Sequence, residues 1–140
     1  MSDDPRALLQ RFYEGVSAGD LSVIEELLAD DFIEHEAFPG IEPTKAGVTQ
    51  FFNLFRSAFP DLRLTAHESV VEGDLLCVRG TMSGTHEGDF MGMPPSHKHF
   101  EVEGFDMVRI RDGLVTEHWG VFDSMAMMQQ LGATPEQAPA

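Results

Sequence analysis

The chain has 140 residues, 42 % of them hydrophobic, with 11 Phe and a formal net charge of −15. That length suits one domain with a substantial core, and that apolar share excludes a disordered chain. The charge is spread without a long acidic run; it serves solubility and would repel nucleic acid and an anionic membrane alike, so neither is an expected partner.

The N-terminal MSDDPRALLQ lacks the basic and apolar regions of a signal peptide, and no stretch reaches membrane-spanning length, which points to a cytoplasmic protein. Asp4-Pro5 starts a helix, with the carboxylate capping and Pro at the first helical position. Leu8, Leu9, Phe12, Tyr13 and Val16 recur at helical spacing up to Gly19. Asp20 caps a second helix with Leu21, Ile24, Leu27 and Leu28 on one face, and a short strand follows over residues 32–35. Pro39, Gly40 and Pro43 mark a loop. Thr44 caps a third helix whose stripe of Val48, Phe51, Phe52, Phe55, Ala58 and Phe59 is the strongest core signal in the chain, and Pro60-Asp61 stops it.

Strands take over from Arg63: residues 63–71 and 75–85 flank the turn signal Glu72-Gly73-Asp74. Cys77, the lone cysteine, sits in an apolar strand pattern and reads as core, with no disulfide framework. Residues 86–96 hold Gly88, Gly92, Pro94 and Pro95 among Phe90, Met91 and Met93. Pro cannot donate to a ladder, so this is a loop whose apolar side chains form a flexible lid or fill a core or interface. Residues 97–124 form a hairpin about Arg111-Asp112-Gly113. Asp123 caps a last helix through Met125, Met128 and Leu131, ended by Gly132. Residues 1–132 thus make one domain, and 133–140 a polar tail expected to be disordered. Helices followed by a mostly antiparallel sheet indicate an α+β domain, its curved sheet wrapped over about three N-terminal helices with a cavity at the open end.

The last hairpin carries the chemistry. A three-residue loop suits a type I turn closed by a left-handed Gly113, which sets Ile110 opposite Leu114, Asp106 opposite His118 and Gly104 opposite Gly120. One face then holds Val108, Ile110, Leu114 and Phe122 together with an acid and an imidazole. Such a pair is either a self-satisfying core pair or a site, with His118 as general acid or base and Asp106 setting its tautomer or, if protonated, donating to an oxyanion. Glu34, His35 and Glu36 end the short strand; a Glu or the His reaches the cavity mouth, or all are exposed strand-end charge, depending on register. His86 lines the rim or serves as a structural hydrogen-bonder. Trp119 alternates to the outer face with Phe105, Met107 and Val121, a surface apolar enough to expect a homodimer there, with Arg109 and Glu117 as diagonal neighbours that pair. A bulge would instead turn Trp119 into the pocket. His97-x-His99 has metal-like spacing but no third ligand, and no metal is expected.

The stretches SAGDLSVIEELLADDFIEHE, RSAFPDLRLT, GTHEGDFMGMPP and VRIRDGLVTEHWGVFDSMAMMQQLG occur in that order over roughly residues 5–132, and resemble the SnoaL-like polyketide cyclases of the NTF2-like superfamily. The resemblance implies an NTF2-like cone-shaped barrel and an intramolecular aldol closure without metal or cofactor. In that group an Asp after the Trp of EHW-x-x-x-D and a His on the neighbouring strand carry the proton chemistry. Those positions are here Gly120 and Asp106, while His118 is retained and faces Asp106. The resemblance therefore implies either the same chemistry with roles exchanged or a cyclase fold without the activity, and Gly120 enlarges the pocket. QRFYEGVSAGDL, ADDFIEHE and FDMVRIRDG also resemble ketosteroid isomerase. That likeness implies a base near Glu36, a protonated acid at Asp106 and a phenol at Phe12, where none stands; Tyr13 is adjacent but rotated by about 100° on the helix. A steroid isomerase of the usual type is not expected. Asp123 matches the last Asp of the cyclase motif, and helix capping accounts for it.

These readings predict a cofactor-independent enzyme with His118 and Asp106 catalytic. His35, Glu36, His86, Phe12, Gly120 and Phe122 would contact a small hydrophobic carbonyl compound of polyketide-like type. Two other classes stand beside it: a binding or accessory protein with the same pocket and no turnover, favoured by Gly120 and Phe12, and an interaction module using the Trp119 face.

Overall fold

The computed structural model describes residues 4–36 and 38–133. Helix α1 (Pro5–Ala18) begins where Asp4 accepts from the Arg6 N–H at 3.0 Å and ends at Gly19, whose φ of 82° is left-handed. Its buried stripe is Leu9, Tyr13 and Val16. Helix α2 (Ser22–Leu27) is shorter than its apolar spacing suggests. Asp20 is not its cap: the N-cap is Leu21, without a side-chain capping bond, and Asp20 accepts from the Ser22 N–H at 3.2 Å from one residue farther out. Leu28 leaves the helix and opens strand β1 (Leu28–Glu34), against an expected strand at residues 32–35. The cause is tertiary: Leu28 pairs with Val115, and burial against a neighbouring strand overrides helical spacing.

Helix α3 (Lys45–Ala58) is capped by Thr44, whose hydroxyl accepts from the Gly47 N–H at 3.2 Å. Its stripe divides in two. Phe55, Ala58 and Phe59 are fully buried in the core, whereas Phe51 and Phe52 are half-buried because they line a cavity. Strands β2 (Arg63–Glu72), β3 (Leu75–Thr85), β4 (His99–Arg111) and β5 (Leu114–Phe122) complete a curved, unclosed sheet of order β1-β5-β4-β3-β2. Strand β1 runs parallel to β5, and the other pairs are antiparallel. The helices pack on the inner face of this sheet around Ile24, Phe55, Phe59, Leu62, Leu76 and Phe100, which is the expected α+β cone.

The β4–β5 hairpin departs from the expected register. Asp112 and Gly113 both have positive φ, 53° and 76°, so the loop holds two residues and Arg111 pairs with Leu114. Asp-Gly is a pair that the tight type I′ turn favours. The displaced residue reappears within the strand: pairing slips between Ile110↔Val115 and Arg109↔Glu117, leaving Thr116 as a bulge with its hydroxyl on the Arg109 carbonyl at 3.3 Å. Asp106 therefore stands opposite Gly120 rather than His118, and Gly104 opposite Phe122. Val115, not Leu114, is buried in the core. Each one-residue slip reverses the in–out alternation, so two of them restore it, and His118 remains on the face of Asp106 as its diagonal neighbour.

The loop after β3 is a plug rather than a lid. Phe90 is 3 % exposed and packs between Phe55 and Phe59, with ring centroids 5.1 and 5.2 Å away. No residue of 86–98 lines the cavity. Helix α4 (Ser124–Gln130) starts where Asp123 accepts from the Ala126 N–H at 3.0 Å. It buries Met127 and, just past its end, Leu131 follows, while Met125, expected on that face, is 72 % exposed. Ala133, assigned to the tail, still donates to the Met128 carbonyl at 2.9 Å; the rest of the tail, 134–140, lies outside the described residues. Among the described residues no helix is long and apolar enough to cross a membrane.

Candidate active site

Three strands and one helix converge on a single imidazole. The parallel pairing of β1 with β5 sets Glu34 level with His118, and the Thr116 bulge turns His118 to the inner face. Strand β4 supplies Asp106 from the other side, and α1 lays Tyr13 across the group. His118 donates from Nε2 to Asp106 Oδ1 at 2.7 Å and from Nδ1 to Glu34 Oε2. The Tyr13 hydroxyl donates to Asp106 Oδ2, and the Glu36 N–H holds Glu34 Oε2 at 3.0 Å. Glu36 Oε1 completes the cluster 3.9 Å from His118 Nδ1.

Burial opposes a charge on His118, but hydrogen bonds to Asp106 and Glu34, and their negative charges, outweigh it and raise its pKa to about 10. It is an imidazolium at neutral pH, flanked by carboxylates. Burial also pushes the Glu36 carboxyl up; the imidazolium pulls it down, Asp106 and Glu34 push it up again, and the balance is about 7. Tyr13 is raised by burial and by the Asp106 carboxylate, so it stays a neutral phenol. Glu34, Glu36 and His118 bring one ligand atom each within 4.8 Å of one another, the one such grouping of three among the described residues. In this structure the three side chains interact with one another: His118 Nδ1 donates to Glu34 Oε2, and Glu36 Oε1 stands 3.9 Å from the same nitrogen.

The cluster stands in the wall of a cavity of about 320 Å³. Leu9, Phe12, Phe32, Phe51, Phe52, Met82, Val115 and Phe122 make much of the remaining surface. Its ionisable lining groups are Glu34, Glu36, Glu42, Asp106, Tyr13 and the imidazoles of His35 and His118; no Lys or Arg among the described residues lines it.

The expected residues divide accordingly. Asp106, His118, Glu36, Phe12 and Phe122 line the cavity, and Gly120 faces the cluster, where an added Cβ would meet Glu36, Asp106 and His118. His35 reaches only the margin: its ring stacks on Trp119 (4.7 Å, 8°) and pairs with Glu117 at 2.9 Å, on the outer face. Trp119 lies on that outer face too, with the Arg109 guanidinium 5.9 Å from its ring centroid. His86 is not at the rim. It is fully buried behind Phe59, with Nδ1 accepting from the Ser96 N–H at 3.2 Å. His97 and His99 share no site, since His97 pairs with Glu87 and His99 with Thr85.

Two members of the cluster are not singled out by the sequence. Glu34 is one of three strand-end candidates, and only the pairing of β1 with β5 selects it as the partner of His118. Tyr13 is rotated by about 100° from Phe12, and that rotation carries it inward rather than away: Leu9, Tyr13 and Val16 form the centre of the buried face of α1, and Phe12 its flank.

A model of the SnoaL-like polyketide cyclase family matches residues 7–131. The chain is 25 % identical over 138 residues to the aklanonic acid methyl ester cyclase DnrD of Streptomyces peucetius, covering 92 % of this chain and 93 % of that one. It is 26 % identical to the aklanonic acid methyl ester cyclase DauD of Streptomyces sp. (strain C5), covering 92 % and 84 %. Among solved structures, TsrD from Streptomyces laurentii superposes with a TM-score of 0.83 at 31 % identity, over 92 % of this chain and 95 % of that one. Wild-type IdmH from Streptomyces antibioticus gives 0.82 at 33 % identity, over 93 % and 99 %.

Proposed function

The chain belongs to the SnoaL-like polyketide cyclase family, and from that premise we propose that it is a cofactor-independent cyclase or isomerase for a small, uncharged, hydrophobic carbonyl compound of polyketide type. One observation carries the reading: a proton-active cluster of Glu36, His118, Asp106 and Tyr13 stands in the wall of an otherwise mostly apolar cavity of suitable volume. In an aldol closure a base takes a proton from the carbon beside a carbonyl. The enolate carbon bonds to a second carbonyl carbon, and the resulting alkoxide takes a proton back. The imidazolium of His118 supplies positive charge beside the developing enolate oxygen, and Asp106 and Glu34 fix its ring. His118 is already protonated at neutral pH, which makes it acid and electrostatic partner rather than base.

The lining supports an uncharged ligand. The one imidazolium, His118, is already held between Asp106 and Glu34, and Glu36 and Glu42 line the cavity with no Lys or Arg, so a carboxylate ligand would be buried beside an excess of acidic groups. A masked carboxyl, such as the methyl ester in the names of the two curated relatives, avoids that cost. A second reading, a binding protein without turnover, is favoured by one observation: both His118 nitrogens and both Asp106 oxygens are engaged within the cluster. Deuterium exchange at the enolisable carbon of 1-tetralone in D2O, followed by proton NMR, separates the two. Acceleration by the wild type that is lost by about 100-fold or more in His118→Gln carries the enzyme reading. Bound tetralone that exchanges no faster than free tetralone leaves the binding protein.

We also propose self-association. Phe105 (45 % exposed) and Val121 (69 %) form a cross-strand pair that borders the cavity and alternates to the outer face, and a second copy of this chain would cover them. Sedimentation velocity should show a dimer that Phe105→Glu converts to monomer; a monomeric wild type at tens of micromolar refutes this part.

A further inference from the structure

Glycine inside a strand weakens it, and where no turn requires one it marks a close approach. Gly120 sits mid-strand opposite Asp106, and it is not among the residues with positive φ, so its backbone makes no demand for glycine. Its surroundings do. A Cβ at this position would lie 2.5 Å from Glu36 Oε1, 2.8 Å from Asp106 Oδ1 and 2.9 Å from His118 Cε1. Asp106 and His118 are each tied from both sides by hydrogen bonds. Glu36 Oε1 is the far end of a flexible side chain that arrives from beyond the end of β1, so a side chain at position 120 would displace Glu36 first.

We propose that Gly120 and Glu36 act as a reciprocal pair: the space left at Gly120 seats the Glu36 carboxyl over the His118–Asp106 pair, and Glu36 is the group that takes and returns the substrate proton. Gly120 is then a positioning residue and Glu36 a catalytic one. The inference rests on the acid/base reading above and names the base that reading requires. The α C–H bond breaks and its proton passes to a Glu36 oxygen. The electron pair becomes the enolate double bond, leaving charge on the carbonyl oxygen beside the His118 imidazolium. After the new C–C bond forms, Glu36 returns the proton to the alkoxide, and no co-reactant is consumed. The groups facing Glu36 are His118 from β5, Asp106 from β4, Glu34 from β1 and Tyr13 from α1. Together with burial they keep its carboxyl close to half ionised at neutral pH, able both to accept and to donate.

Two measurements on the whole protein test this. In carbon-13 spectra of glutamate-labelled protein, one carboxyl should titrate near 7 and be absent from Glu36→Gln. In Gly120→Ala it should fall toward the ordinary 4.5, because the methyl group expels it to solvent. On 1-tetralone in D2O, exchange should drop by about 100-fold or more in Glu36→Gln and by about tenfold or more in Gly120→Ala. The double variant Gly120→Asp/Glu36→Gln should recover to within about tenfold of the wild type, since an Asp at 120 would extend its carboxyl from a Cβ 2.5 Å from the present Glu36 Oε1, into the space Glu36 vacates. A Gly120→Ala protein whose Glu36 still titrates near 7, or a Glu36→Gln protein that exchanges as fast as the wild type, overturns the proposal. A wild type that shows the titration and its shift but no exchange overturns the enzyme reading, and with it the proton-carrying role, while the seating stands.

Discussion

Replacing His118 by Gln removes a positive charge held between Asp106 and Glu34 while keeping a polar side chain that can still donate. In the unfolded chain the imidazole titrates near 6.5, and in the folded protein at about 10. A folded-state pKa above the unfolded one contributes stability that is complete below 6.5 and is lost as pH rises through 10. The slope approaches about −1.4 kcal/mol per pH unit, and the gap from 6.5 to 10 caps the linkage at about 5 kcal/mol. The His118 side chain is 18 % exposed, so solvent weakens the effect only in part, and a loss of about 2–3 kcal/mol between pH 7.5 and 9.5 is expected. Glu36, raised from 4.5 to about 7, contributes a fall of the same sign at lower pH, and starting at 7.5 leaves most of it out. Stopping at 9.5 stays below the ordinary value of 10 at which tyrosines titrate in the unfolded chain. Urea unfolding followed by the fluorescence of Trp119, the single tryptophan, gives the free energy at each pH. The wild-type curve should fall across this window and the His118→Gln curve should be nearly flat. Parallel curves would refute the placement of an imidazolium between the two carboxylates.

Tyr13→Phe leaves Asp106 Oδ2 without its phenol donor in a site where Tyr13 is 5 % exposed, and should cost about 1–3 kcal/mol in urea unfolding at pH 7; an unchanged midpoint would show that the bond contributes nothing. A methyl ester of an aromatic polyketide-like acid should bind at least about tenfold more tightly than the free acid by calorimetry, given the acidic lining, and tighter binding of the acid contradicts the charge argument. Phe90→Ala should destabilise by about 3–5 kcal/mol as a core deletion. Met91→Ser on the same loop should leave tetralone affinity within about twofold, because no residue of 86–98 lines the cavity; a large loss of affinity would restore the lid.

Local chemistry was legible where a residue acts on its own neighbours. Asp4, Thr44 and Asp123 cap the helices they were assigned to, and Gly19 ends the first. What remained hidden depends on residues far apart in the chain. The extension of β1 back to Leu28 needs Val115 as a partner, and Glu34 enters the site only through the same parallel pairing. The hairpin shows how an error in register can leave a face intact. A loop one residue shorter and a bulge one residue longer cancel, so Asp106 and His118 meet although neither stands where the turn alone would put it. His86 illustrates the opposite limit, since a lone His in a Gly- and Pro-rich loop carries no periodicity to say that it is buried behind Phe59.

The cluster is closed by links of long reach: 93 residues separate Tyr13 from Asp106, and 84 separate Glu34 from His118. During synthesis the first two residues of the site emerge long before the last two exist, so no partly made chain holds a working imidazole. Closing such long loops is entropically costly and slow compared with forming α1 or the β4–β5 hairpin. On dilution from urea, recovery of proton-exchange activity should therefore trail the return of the circular dichroism signal. The lag would time the docking of β1 against β5, so that completion of the cluster reports the end of folding.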